Sequence, residues 1–220
     1  GYENLYTVDI VCHGVGSQAY FDKYMDYARE RYGKIKALRF RSKEYAGWSC
    51  GGVVVVVDSS DCLKKIPYRD FDNYYYSYFL SGDIYRKSCY SCKYANTNRV
   101  GDFTLGDYWG VEALNLPLQT ENGCSLLLVN NDRAERLLET VVDIDKVETT
   151  IEQAVHCNKQ LNEPSRLPES RKKRIEEYES MSGPQIQEVY LKTHRKTVVK
   201  GKLKALMPYK LKLLIRSKRT

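Results

Sequence analysis

The sequence predicts an α+β fold, with a mixed sheet of short strands in the first two-thirds and helices in the last third. Three observations carry this. The run "GGVVVVVDSS" is β-branched, apolar and only five valines long, which suits a buried strand. Short alternating segments such as "YTVDIV" and "IKALRFR" recur before residue 130. From residue 151 onward the apolar residues recur at helical spacing instead. Strands that precede helices, rather than alternating with them, argue for α+β.

Each element follows from local signals. "YTVDIVCHGVG" alternates and then stops at glycines, giving a strand over 6–11 that delivers Cys12 to a loop. Ser17 can cap a helix that runs to about Tyr32, with Gly33 as its stop. "IKALRFR" and "GGVVVVVDSS" read as strands joined by a connection over 47–52, and "DCLKKIPYR" adds a third. Residues 70–80 read as an aromatic helix, "DFTLGDYWG" as strand and turn, and "GCSLLLVNN" as a buried strand. A helix is expected over 132–142, with a capping box from Asp132 to Glu135. "KVETT" reads as a short strand. Helices are expected over 151–161, 168–181 and 184–194, and the terminal "KGKLKALMPYKLKLLIRSKRT" is a basic helical piece with Pro208 at a joint. The domain is expected to span 1–182, with 183–220 as a helical basic tail.

Composition narrows the function classes. No run of about 18 apolar residues exists, which disfavours a spanning helix. No secretory leader is legible, so the seven cysteines are expected as reduced thiols in the cytoplasm. The chain opens on Gly1 rather than Met and enters a strand at once, which reads as a piece of a longer polypeptide. The net charge of +7 is unevenly placed. Residues 192–220 hold eleven Lys and Arg and no acid, leaving 24 bases against 28 acids, or −4, elsewhere. The 19 tyrosines cluster, as at Tyr74, Tyr75, Tyr76 and Tyr78, without the basic interleaving of a nucleic-acid platform.

The chemistry-bearing stretch is "KSCYSCKYANTNRVGDFTLGDYWG". Cys89 and Cys92 have the two-residue spacing that lets both sulfurs reach one metal through a tight turn. The remaining cysteines, at 12, 50, 62, 124 and 157, are scattered, and no second pair exists, which disfavours a zinc ribbon. A thioredoxin-like pair would open a helix, whereas Tyr94, Ala95 and Asn96 read as loop. Metal or cluster binding and inert thiols both stay open on the residues alone. Cys12 and His13 are neighbours on an extended segment and point apart, so they do not form a nucleophile–base pair. Trp48 and Trp109 suit core or rim packing, with stacking on a ring as the alternative.

The ordered set "VDIVCHGVGS", "FRSKEYAGWS", "CYSCKYANTNRVGDFTLGDYWG", "GCSLLLVNN" and "CNKQLNEPSRLPESR" resembles the C-terminal domain of the beta subunit of coenzyme F-420 (deazaflavin) hydrogenases and dehydrogenases. The likeness is closest to the bacterial branch found near polysaccharide-synthesis genes, and it covers residues 6–177. It implies an iron–sulfur flavoprotein oxidoreductase with FAD and one [4Fe–4S] cluster, receiving electrons from a ferredoxin-like domain or protein. By this resemblance Cys12, Cys89 and Cys92 are cluster ligands, with a fourth expected upstream in a Pro-Cys-Gln segment. Gly106, Asp107, Gly110, Gly123 and Ser125 are the matching candidates for the backbone floor beside the flavin, since glycine lets main-chain N–H groups approach a ring or pyrophosphate. For Asp102 and Asp107 the plain alternative is turn closure. No acid–base pair or nucleophile is legible, so the chemistry implied is that of the cofactors. The rival expectation is a non-catalytic interaction module of polysaccharide biosynthesis that kept the fold without the cofactors. The basic tail adds an expected contact with an anionic membrane surface, peripheral at its inner face, and no specific nucleic acid.

Overall fold

The computed structural model describes residues 2, 4–46, 51–120 and 122–207. In chain order the elements are β1 (Val8–Ile10), α1 (Gln18–Tyr32), β2 (Ile35–Arg39), α2 (Lys43–Ala46), β3 (Gly51–Val57), β4 (Leu63–Arg69), α3 (Tyr74–Leu80), β5 (Phe103–Asp107), β6 (Ser125–Val129), α4 (Asp132–Glu139), α5 (Ile151–Cys157), α6 (Arg171–Ser180), α7 (Gly183–Thr193) and α8 (Arg195–Leu206). Short 3-10 turns occupy Asp70–Asp72, Lys87–Ser91, Val111–Leu114 and Lys159–Leu161. The mixed α+β class is as expected, with strands concentrated early and five helices after β6.

The chain forms two compact units. One comprises the residues up to Gly14 together with Lys87–Ser165; the other comprises Val15–Arg86 and the residues from Arg166 on. The boundary expected at 182/183 therefore does not coincide with a unit boundary. α7 packs into the second unit through Ile186, Gln187 and Tyr190, all buried.

The first unit holds a three-stranded sheet in the order β1-β5-β6. β1 runs parallel to β5, with Val8 beside Phe103, Asp9 beside Thr104 and Ile10 beside Leu105. β6 is antiparallel to β5, from Phe103 opposite Val129 to Asp107 opposite Ser125. One face of the sheet is packed: Leu126 is buried, and it joins Tyr108, Val111, Ala154 and Leu161 in a core to which Val11, Cys124 and Leu128 also contribute. The other face leaves Val8, Ile10, Leu105, Leu127 and Val129 partly exposed. The segment "SLLLV", expected as fully buried, is therefore half-buried. In a strand successive side chains alternate between faces, and only one face here has a partner among the described residues.

The second unit is built on tyrosine. α1 places Tyr20, Tyr24, Tyr27 and Ala28 on one buried face, the i, i+4, i+7 pattern of a core-facing helix. They meet Tyr74, Tyr75 and Tyr78 of α3 and Tyr190 of α7. The rings of Tyr24 and Tyr75 stack at 5.1 Å between centroids, and those of Tyr78 and Tyr190 meet edge-on at 5.6 Å. Asn73 joins the packing to the backbone. Its Nδ2 donates to the Tyr24 hydroxyl at 2.7 Å, and its Oδ1 accepts from Tyr76 N at 3.0 Å as the cap of α3. That cap splits the helix expected over 70–80 into a 3-10 turn and α3. Beside these helices lies the antiparallel sheet β2-β3-β4. β3 is its central strand and is buried at every position but the last, as the valine run predicts.

Three further expectations are corrected. α4 is capped by Asn131, whose side chain accepts from Ala134 N at 2.9 Å, rather than by Asp132, and the helix ends at Glu139. Residues 146–150 form no strand; Thr150 instead caps α5 in a reciprocal box with Gln153. α5 stops at Cys157, and a 3-10 turn completes the expected helical stretch to Leu161. The basic piece is helical as α8; its continuation from Pro208, like Trp48 and Cys50, lies outside the described residues.

Candidate functional site

All eight predicted site residues lie in the first unit. Cys12 follows β1 by two residues and is exposed. Val11 N donates to Leu105 O at 2.7 Å, which carries the parallel pairing up to the residue before Cys12. Gly106 and Asp107 end β5, and Ser125 opens β6 opposite Asp107. Gly123 precedes it with φ +88° in a turn closed by its own N–H to Thr120 O at 2.9 Å. Cys12, Gly106, Asp107, Gly123 and Ser125 thus gather at one end of the sheet, and Gly110 follows in the turn after β5.

Cys89 sits in the 3-10 turn Lys87–Ser91 and Cys92 directly follows it; both are half-buried and neither is in a disulfide. The loop after this turn is tied to β1 by one arginine. Arg99, with only 6 % of its side chain exposed, donates from Nη2 to Asp9 Oδ1 at 2.8 Å and from Nε to the same oxygen at 3.1 Å. It also donates to the carbonyl oxygens of Ile10 and Tyr94. Gly101 N donates to Asp9 Oδ2 at 2.9 Å. One carboxylate on β1 and one guanidinium therefore pin both ends of the loop that follows the thiols. Burial acts to raise the Asp9 pKa, but the bonds from Thr104, Arg99 and Gly101, with the Arg99 charge, outweigh it and hold the carboxyl below its ordinary value.

Asp102 does a similar service at the opposite end of the sheet. It accepts from Thr7 N at 2.7 Å, from Thr7 Oγ1 at 2.8 Å and from Asn131 Nδ2 at 3.1 Å, with the Thr7 backbone bond the leading cause of its lowered pKa. Asp102 is a long-range clasp that joins Thr7 to Asn131, not the closure of its own turn. Sequence reading missed Asp9 and Arg99. The available signal was an acid between two apolar residues of a strand and an arginine before a Gly-Asp pair, which is common on solvated surfaces.

The motifs in this region are placed by a match along the chain. The family model for the C terminus of the coenzyme F420 hydrogenase/dehydrogenase beta subunit matches residues 1–154. The chain belongs to this family. The match takes in all eight predicted site residues and stops within α5. The family is that of the C-terminal part of an oxidoreductase subunit. Searches of the curated proteins and of the solved structures gave no match.

The donor set suits the iron–sulfur group that the family implies, but it is incomplete. A [4Fe–4S] cluster takes four thiolates. Cys89 and Cys92 come from one turn, yet among the described residues no three His, Cys, Asp or Glu side chains converge as a metal site. In the cysteine loop Asn96 Oδ1 is buried with no hydrogen-bond partner among the described residues.

Two glycines of the expected flavin floor have protein packed on their Cβ side. A Cβ on Gly106 would stand 2.9 Å from the Val11 side chain. A Cβ on Gly110 would run into Cys157, and Gly110 has φ +79°. Protein side chains fill both places, so packing and backbone conformation explain these two glycines. Trp109 is partly exposed on the same turn. Burial raises the Cys124 thiol pKa, which makes it a poor thiolate.

A groove of about 320 Å³ lies in the second unit, lined among others by Tyr27, Arg31, Tyr32, Tyr68, Asp72 and Lys202. No predicted site residue lines it. Two amides on its wall, Asn73 and Gln187, are committed to internal bonds, Gln187 with Asp72 O at 2.9 Å and Tyr74 N at 3.1 Å.

Proposed function

We propose that this chain is the C-terminal part of an iron–sulfur flavoprotein oxidoreductase subunit, with Cys12, Cys89 and Cys92 as its contribution to a [4Fe–4S] cluster that passes electrons to FAD. The observation that carries the reading is the Cys89/Cys92 turn, half-buried inside the family-matched region and followed by a loop that Arg99 and Asp9 pin to β1. Two thiols two residues apart on one turn have the spacing that lets both reach a shared metal centre. A fourth thiolate beyond these three cysteines completes the ligand set. The cluster supplies one-electron transfer when bound; this chain's work is to hold the thiols and to fix the loop that follows them. The flavin is assigned to the Asp107–Ser125 end of the sheet, where Val11 and Cys157 fill the space on the Cβ side of Gly106 and Gly110. A ferredoxin-like donor completes the electron path.

The second reading is an interaction module of polysaccharide assembly without redox chemistry. The filled glycine positions favour it. The test uses the complete natural polypeptide containing this chain, made and purified without oxygen, with iron analysis and a visible spectrum. Bound iron and flavin, with the iron lost in Cys89→Ser and Cys92→Ser but kept in Cys62→Ser, support the oxidoreductase. A colourless, iron-free protein overturns it and leaves the module.

A further inference from the structure

Helix α8 has two apolar faces, and the fold uses only one. Val198 is 8 % exposed, and Gly201 lies against the Phe71 ring, where a Cβ would come within 2.9 Å of the Phe71 Cβ. That face docks the helix. Val199, Leu203 and Leu206 form a second set at i, i+4 and i+7, exposed to 48, 59 and 83 %. With 3.6 residues per turn, these three fall within an arc of roughly 60°, about 100° around the helix from Val198. Lys202 flanks the arc on one side, and Lys196 and Lys200 flank it on the other. No acid occurs from residue 192 to the end, and the sequence after α8 continues with Leu211, Leu214 and Ile215 among Lys210, Lys212 and Arg216.

We propose that α8 is a membrane-surface helix that rests on an anionic lipid bilayer. Val199, Leu203 and Leu206 enter the boundary between headgroups and acyl chains, and Lys196 and Lys200 reach the lipid phosphates beside them. Two features of the helix select this occupant. The charge is complementary to an anionic surface and unrelieved by any acid on the segment. The uncovered stripe is aliphatic, which suits an acyl boundary and gives nothing on which a nucleic-acid base would stack. No described helix is long and apolar enough to cross a membrane, so the contact is interfacial. The inference is independent of the redox reading.

Co-sedimentation of the whole chain with vesicles of phosphatidylcholine, with or without phosphatidylglycerol, tests it. Binding is expected to require phosphatidylglycerol and to weaken with salt. Lys196→Gln with Lys200→Gln should weaken it roughly 25-fold, since each surface lysine contributes about fivefold. Leu203→Glu with Leu206→Glu should abolish it while leaving the unfolding temperature unchanged, because neither side chain is buried. Equal binding by the leucine variant, equal binding to neutral vesicles, or preferential salt-sensitive binding to duplex DNA that ignores the leucines would each overturn the proposal.

Discussion

Arg99 grips Asp9 across 90 residues of sequence, with Nη2 2.8 Å from Oδ1, and in doing so fastens the loop after Cys92 to the strand that leads to Cys12. The pair is mostly withdrawn from water, so removing one partner leaves the other charge uncompensated. Arg99→Ala or Asp9→Ala should cost about 3 kcal/mol. The effect should appear as a lower unfolding temperature and as faster alkylation of Cys89 and Cys92.

The same pair makes the loop acid-sensitive. The Asp9 pKa is lowered in the folded chain, so its contribution is complete above the ordinary Asp value of about 4 and is lost as pH falls through the lower folded value. Hydrogen exchange at the Gly101 amide should accelerate below that point relative to a reference amide such as Leu126 on β6. Asp9→Asn should remove this pH dependence. An Asn variant that keeps it would assign the titration to another group.

Cys89 and Cys92 should behave as one dithiol. An arsenical that bridges neighbouring thiols should bind at about one equivalent per chain, and either Cys89→Ser or Cys92→Ser should abolish binding. Cys62→Ser and Cys124→Ser should leave it intact. Unchanged uptake in the Cys89 variant would show that the turn does not present both sulfurs to one atom.

Gly110 should not tolerate a side chain. Its positive φ costs an L-residue roughly 1–2 kcal/mol, and the new Cβ meets Cys157 as well. Gly110→Ala should therefore destabilise by roughly 3 kcal/mol in denaturant unfolding. Adding Cys157→Ala should recover part of the loss but not all of it, because the backbone strain remains.

Asn73 and Tyr24 should be energetically coupled. Asn73→Ala removes the cap of α3 and the donor to the Tyr24 hydroxyl, about 2–3 kcal/mol together. Tyr24→Phe should cost less, since it gives up only one bond. A double-mutant cycle should return a coupling of about 1 kcal/mol. Additive losses would mean that the 2.7 Å contact carries no energy of its own.

By itself the sequence determined what depends on neighbours along the chain. The valine run specified a buried central strand because β-branched apolar residues leave no polar face. Ser17 and Gly33 mark the ends of α1, though the Ser17 side chain makes no cap bond, and the tyrosine spacing on that helix identified its core face. The ordered motifs around Cys89 and Cys92 also carried the family. Tertiary structure decided what depends on partners far away in sequence. Gly106 and Gly110 looked like room for a ligand because a glycine's neighbours along the chain do not reveal what fills the space beside it. Val11 and Cys157 fill it. "SLLLV" read as buried because its composition is apolar throughout, while the number of packed faces is set by what lies above and below the sheet. Arg99 and Asp9 looked like ordinary surface charges, and became the fastening of the cysteine loop only when β1 was laid parallel to β5.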